Sequence, residues 1–344
     1  MRASETQIGT FGLLLFFFLL IFFTNLSLGS ISIPLEKIFK ILFVENSDSE
    51  SWNYIVLNYR LPKACTAILV GSGLGASGLL MQTLFRNPLA GPFVLGISAG
   101  ASLGVALLIL GTSFLGTFLG GISLTNWSLI GAASTGSFFV LFAVLIAIKR
   151  IKNTMSILII GLMFGSISAA VINVLSYFST AEKLQQFIFW SFGSLGNLNW
   201  IEVFVFGIVV TSCFLILLTA IKPLNSLLLG ENYAISMGVD IKKTRYLVLI
   251  CTSLLTGVIT AFSGPIAFVG LAVPHLSKLI FTTSNHRVLL PASALVGAML
   301  LLLCDTIAQL PGSEYNLPIN AITSIFGAPI VIWLLIRKKD SRSL

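Results

Sequence analysis

The sequence predicts an all-α membrane protein with ten transmembrane helices, and three observations predict it. Hydrophobic residues make up 56% of the chain and charged residues 9%, where a soluble domain carries about 25% charge. The mean hydropathy is +1.00. The apolar residues fall into runs of roughly 17–25, the length a helix needs to cross a hydrocarbon layer about 30 Å thick. One polytopic domain over residues 1–344 is expected, with no separate soluble domain.

The first run, 8–28, has 21 residues. That exceeds the ~7–15-residue core of a signal peptide, and no A-x-A-like site follows it, so it is expected to be a retained span. The second, 61–84, is rich in small residues, with Ala67, Gly71 and Gly75 spaced to let another helix backbone approach closely. The third, 93–110, carries a second ladder of Gly96, Gly100 and Gly104. Between them lies RNPLAGP, where Pro88 and Pro92 interrupt the helix. No charge occurs between Arg86 and Lys149, so two spans fit there, with a Gly/Ser/Asn-rich turn around Asn126 before the fourth at 128–148. The remaining spans are expected at 154–178, 201–221, 245–262, 266–283, 288–306 and 319–336.

Charge distribution sets the expected orientation. With the N-terminus in the cytoplasm, fifteen basic residues fall inside and five outside (Lys37, Lys40, Arg60, Lys63 and Lys183). Lys/Arg excess marks cytoplasmic loops, so both termini are expected inside. The net charge of +8 then needs no nucleic-acid partner, and the partner it implies is membrane lipid. An internal echo points to an inverted-repeat core: Gly71 followed by Ser77-Gly78 has the spacing of Gly257 followed by Ser263-Gly264. Each pair precedes an interrupted apolar segment, NPLAGPFVLG and GPIAFVGLAVPH, as in the discontinuous helices of transport pathways.

Several chemistries are excluded. The chain has no GxxxxGK[ST] loop, no HExxH and no EF-hand loop. Cys65, Cys213, Cys251 and Cys304 lie in apolar runs without metal-ligand spacing and read as small buried hydrophobes. No metal site is expected. Asp305, within the ninth run, is an intramembrane acid and so a candidate proton or cation site. The preferred reading is structural, because a position near the interface can reach water or a neighbouring helix end.

The largest loop on the N-terminal side, about 223–244, contains GENYAISMGVD. Glu231 to Met237 has helix-compatible composition, Gly238 is a natural helix stop, and a second short turn is expected near Asp240. Such an element is either an interfacial helix held by anionic lipid or a segment that docks into a groove on a cytoplasmic partner.

The stretch RLPKACTAILVGSGLGASGLLMQTLFRNPLAGPFVLGISAGASLG, followed by FWSFGSLG, GENYAISMGVD, SGPIAFVGLAVPHLSKL, HRVLLPASALVGA and LPINAITSIFGAPIVIWLL, resembles the FecCD-type permeases over essentially the whole chain. The resemblance implies the type II ABC importer permease fold and a pore subunit that is not itself an enzyme. It also implies a second permease subunit, expected to be an identical copy, two cytoplasmic ATPases and an external solute-binding protein. No cofactor is expected on this chain; ATP and Mg belong to the ATPases. By the same resemblance Arg60 and Lys63 meet acidic residues of the binding protein, and Gln309 stands where the family places a third basic residue, weakening one expected salt bridge. Gly230, Glu231, Ala234, Met237 and Gly238 belong to the ATPase-coupling segment. Asn87, Leu89, Asn153 and Thr154 fall in the cytoplasmic gate region, although Asn and Thr are also ordinary helix caps. His275 lies in the family's PH motif and is expected to pack rather than ligate metal. The implied cargo is an iron–siderophore chelate, with cobalamin or haem as alternatives; an ion-coupled secondary transporter is the less favoured class. A chelated cargo does not need a cage of Cys, His and Asp ligands, which suits their scarcity here.

Overall fold

The computed structural model describes residues 2–43, 50–111, 123–150, 154–310, 312–313 and 315–340. Its regular elements are helical throughout. In chain order they are α1 (Arg2–Ser27), α2 (Leu35–Phe43), α3 (Glu50–Ile55), a π-helical turn (Val56–Arg60), α4 (Leu61–Phe85), a 3₁₀ turn (Pro92–Leu95), α5 (Ile97–Ile109), α6 (Asn126–Arg150) and α7 (Thr154–Tyr177). There follow α8 (Ala181–Ser191), α9 (Trp200–Leu228), α10 (Glu231–Ser236), α11 (Ile241–Ser263), α12 (Val269–Phe281), α13 (His286–Ala308) and α14 (Ile319–Asp340).

Among the described residues seven helices are long and apolar enough to cross a bilayer, against the ten expected. The other three expected spans coincide with shorter apolar helices, Ile97–Ile109, Val269–Phe281 and Ile319–Trp333. Thirteen residues make a helix of only about 20 Å. The shortening has a local cause. Pro92 opens a 3₁₀ turn that Gly96 closes at φ +74°, and α12 is preceded by Gly264 (φ +73°) and Phe268 (φ +65°). Non-helical backbone at membrane depth is tolerated where protein surrounds it. Pro92, Leu95 and Gly96 are indeed buried.

The chain forms two compact units, each built from separated stretches. The first comprises Met1–Leu79, Ser194–Ile208 and Ile266–Leu344. Within it α13 packs on α1, α12 and α14. Helix α4 comes close to α13: a Cβ added at Gly71 would lie 2.2 Å from the Gly297 carbonyl oxygen, and one at Gly75 would lie 2.4 Å from that of Ser293. One at Gly78 would fall 1.7 Å from the carbonyl oxygen of Gly270 on α12.

The second unit comprises Leu80–Gly193 and Val209–Pro265. Its core gathers Met81, Phe85, Leu95, Ile97, Val140 and Leu249. Here α5 lies against α6, α7 and α11. Gly100 and Gly104 are pressed on α6, where added Cβ atoms would come within 2.7 Å of Gly136 O and 2.0 Å of Ala132 O. Gly96 differs from the expectation that it forms the first rung of a helical ladder. It precedes the helix in a left-handed conformation, and its missing side chain makes room for the Gly161 carbonyl of α7, which an added Cβ would meet at 2.5 Å. The turn expected around Asn126 lies partly outside the described residues; Asn126 itself begins α6.

Candidate functional site

In the first unit, polar residues converge where α1 ends. The last carbonyls of any helix lack intrahelical donors and carry its negative dipole end. Arg60, at the end of the π-helical turn, supplies the donors: Nη1 donates to the carbonyls of Leu26 at 2.6 Å and Ser27 at 2.9 Å, and Nη2 donates to that of Ile31. The guanidinium is therefore spent inside the protein, and Arg60 is only 8% exposed. Gly29 is held against it, since a Cβ there would meet Arg60 Nη2 at 2.8 Å and Gln309 Oε1 at 3.2 Å.

One turn on, Lys63 forms an ion pair with Asp305 of α13, Nζ to Oδ1 at 3.0 Å. The other carboxylate oxygen, Oδ2, accepts from Gln309 Nε2 at 2.7 Å and Asn25 Nδ2 at 3.0 Å. Asn25 also reaches Thr306 Oγ1 at 2.9 Å. Of the two expected surroundings for Asp305, water or a neighbouring helix end, the structure gives the second: it is 1% exposed and satisfied by donors from α1, α4 and its own helix. Burying a carboxylate is tolerable when it is paired and hydrogen-bonded on its remaining lone pairs, as here. Lys63 retains partial exposure, 22% of its side chain, and its stem runs over Gly196. Gln309, at the position where the resemblance implies a basic residue, is a neutral donor to Asp305, whose ion pair is with Lys63.

The second group lies in the other unit. Gly230 (φ +124°) and Gly238 (φ +79°) bracket α10. After the helix, Gly238 N donates to Ile235 O at 2.9 Å and Val239 N to Ala234 O at 3.0 Å, which closes its C-terminus. Ala234 is buried, whereas Glu231, Tyr233, Ile235 and Met237 are exposed. The second short turn expected near Asp240 is instead the first turn of α11. Asp240 Oδ1 accepts from Lys243 N at 3.0 Å, and that cap lets the long helix start at Ile241. Arg245 Nη2 reaches back to Glu231 Oε1 at 3.4 Å, tying α10 to α11.

The gate residues are only partly brought together. Asn87 Oδ1 accepts from Leu89 N at 2.9 Å, an Asx turn at the break after α4, and Leu89 is exposed. Thr154 begins α7, and Asn153 lies outside the described residues. His275 is half-buried on α12. Among the described residues no group of three His, Cys, Asp or Glu side chains could hold a metal ion. Sequence reasoning missed Asn25 and the role of Gly297; the signal for Asn25 was a buried acid that had to find donors.

Comparison with known proteins bears on what this scaffold does. A family model described as the FecCD transport family matches residues 15–337. The hemin transport system permease protein HmuU of Yersinia pestis is 37% identical over 330 residues, spanning 95% of this chain and 96% of that one. The vitamin B12 import system permease protein BtuC of Salmonella typhi is 37% identical over 282 residues, 82% and 83% of the two chains. Among solved structures, a metal-chelate-type ABC transporter in an inward-facing conformation matches with a TM-score of 0.83 at 29% identity, over 97% of this chain and 99% of that one. PsaBC from Streptococcus pneumoniae, with a TM-score of 0.55 and 18% identity over 86% of this chain and 93% of that one, is similar in fold. The chain, a multi-pass membrane protein, belongs to the FecCD transport family.

Proposed function

We propose that this chain is the permease subunit of a binding-protein-dependent ABC importer, and that it carries an iron–siderophore-type chelate across the cytoplasmic membrane. The near-full-length family match carries this reading. The subunit works beside a second permease copy, with both termini in the cytoplasm, where two ATPases bind ATP and Mg. The segment bracketed by Gly230 and Gly238 seats in a groove of the ATPase through its exposed Glu231 and Met237, while the buried Ala234 holds α10 to the protein. Movement of α10 reaches the membrane through α11, to which the Arg245–Glu231 contact and the Asp240 cap join it. Close glycine contacts such as Gly71 on Gly297 and Gly104 on Ala132 support transmission, because helices packed backbone to backbone move as rigid bodies. Asn87, Leu89, Asn153 and Thr154 belong to the cytoplasmic gate.

On the external side, Arg60 and Lys63 present two positive charges against the one negative charge of Asp305. The surplus draws acidic residues of the solute-binding protein. Lys63 is the direct contact, because Arg60 is committed to the carbonyls of α1. Haem is the second reading for the cargo, favoured by the match to the hemin permease over 95% of this chain. The test is uptake into proteoliposomes holding this chain with its ATPase and binding protein, offered ferric siderophore, haem or cobalamin. ATP-dependent uptake of the siderophore complex is expected. Uptake of haem or cobalamin alone overturns the cargo, and gradient-driven uptake without any ATPase overturns the importer reading.

A further inference from the structure

The short helix α2 was not expected from the sequence, and its surface divides into three stripes. Ile38 and Ile41 are buried against the protein. Glu36, Lys37 and Lys40 form a charged stripe, with Lys40 Nζ paired to Glu36 Oε1 at 2.7 Å. Between the two, at every fourth position, Leu35, Phe39 and Phe43 stand exposed, Phe43 by 72%. A helix in water would not place two phenylalanines and a leucine on a stripe of their own beside its charges.

The surroundings fix what covers that stripe. Phe39 stacks on Phe23 of α1 at 4.5 Å, and Phe43 follows Phe39 at 6.1 Å, so the rings continue from a membrane span onto α2. The span itself turns Leu13, Phe16, Phe17 and Leu20 outward, as a lipid-facing helix does. Phe23 lies one turn before the end of α1, so the stack sits about 6 Å below that end. Interfacial helices bury their apolar face by about 5–10 Å. The level is marked independently. Arg60 bonds to the terminal carbonyls of α1, and in the segment leading to it Tyr54 and Tyr59 are exposed, while Trp200 donates to Leu57 O at 2.9 Å. Tyr and Trp gather where hydrocarbon meets headgroups.

We infer that α2 is an interfacial anchor: Leu35, Phe39 and Phe43 lie in the acyl region of the adjoining leaflet, while Lys37 and Lys40 stay at the headgroup level. The lysine stems suit that depth, since they can run along apolar surface and keep the ammonium in water.

The test places a nitroxide label at Phe43→Cys and, separately, at Lys40→Cys in the full chain reconstituted in lipid nanodiscs. Collision with molecular oxygen, which concentrates in lipid, is compared with collision with a water-soluble nickel chelate. The oxygen-to-nickel ratio at position 43 is expected to exceed that at position 40 severalfold. Free access of the nickel chelate to position 43 would mean that the stripe faces water, and overturns the inference. Exclusion of both reagents would mean that protein, such as a second copy, covers it, and overturns the inference equally. Leu35→Cys reports on the same stripe if substitution of Phe43 prevents folding.

Discussion

Replacing Gly71 with alanine adds one methyl group where α4 crosses α13. The new Cβ would stand 2.2 Å from the Gly297 carbonyl oxygen, 2.5 Å from the carbonyl carbon and 2.8 Å from Ala298 N. Ordinary contact begins near 3.4 Å, so the shortfall exceeds 1 Å and all three atoms belong to backbone. No rotamer relieves it, and the helices must part. Parting them at Gly71 also loosens the next contact along the stripe, Gly75 on Ser293. Overpacking of this kind costs about 1–3 kcal/mol, offset by up to about 1 kcal/mol because alanine is the better helix former. A mid-range cost of about 2 kcal/mol leaves a net loss of about 1–2 kcal/mol, which lowers the folded-to-unfolded ratio by a factor of about 5–30. The assay is denaturant unfolding of the purified chain in detergent micelles. Gly131→Ala on α6 is the control, because nothing lies within 4 Å of its added Cβ, and there the helix-forming gain should stand alone. If Gly71→Ala proves as stable as Gly131→Ala, backbone contact at Gly71 is not what holds these helices together.

Three further outcomes are expected. Asp305→Asn and Lys63→Met should each destabilise the chain, and the double variant should lose less than their sum, with a coupling of about 1–3 kcal/mol in the same unfolding assay; strictly additive losses would mean the two do not pair. Arg60→Lys keeps the charge but not the fork that reaches the carbonyls of Leu26, Ser27 and Ile31, so a loss of about 1–3 kcal/mol is expected, and parental stability would refute the capping role. Glu231→Gln breaks an exposed pair worth at most about 1 kcal/mol, so stability should hold while ATP-driven uptake falls; unaltered uptake would remove α10 from the coupling path.

What the sequence made legible follows from the range over which each interaction acts. Proline and glycine act locally, so the break after α4, with Pro88, Pro92 and Gly96, could be read from the chain. The small residues of α4 declared that a helix must come close, but not which one: Gly297 lies 226 positions from Gly71. Span length failed as a criterion for α5 and α12, because each begins only after a broken segment that occupies part of the expected run. Helix α2 escaped notice because nine residues are too few to cross a membrane and its apolar positions are shared between two faces.

The internal partners of Arg60 and of Asp305 went unread in the sequence for one cause. Charge in a sequence has a sign but no address, and the acceptors that claim Arg60 are backbone carbonyls, which every residue carries. Resemblance supplied an external partner for Arg60 and Lys63, whereas the fold supplies internal ones first. The two kinds of partner are compatible only as far as charge remains. Carbonyl oxygens hydrogen-bond the guanidinium without neutralising it, and Asp305 neutralises one of the two cations. Gln309 adds a donor to Asp305 but no charge, so the local surplus stays at one positive charge. Reversing Arg60 would therefore place a carboxylate against the carbonyl end of α1 and break the fold before it revealed anything about docking. Neutralising the partly exposed Lys63 while following both stability and binding-protein association separates the two effects, because only the second should respond to salt over a Debye length of about 8–10 Å.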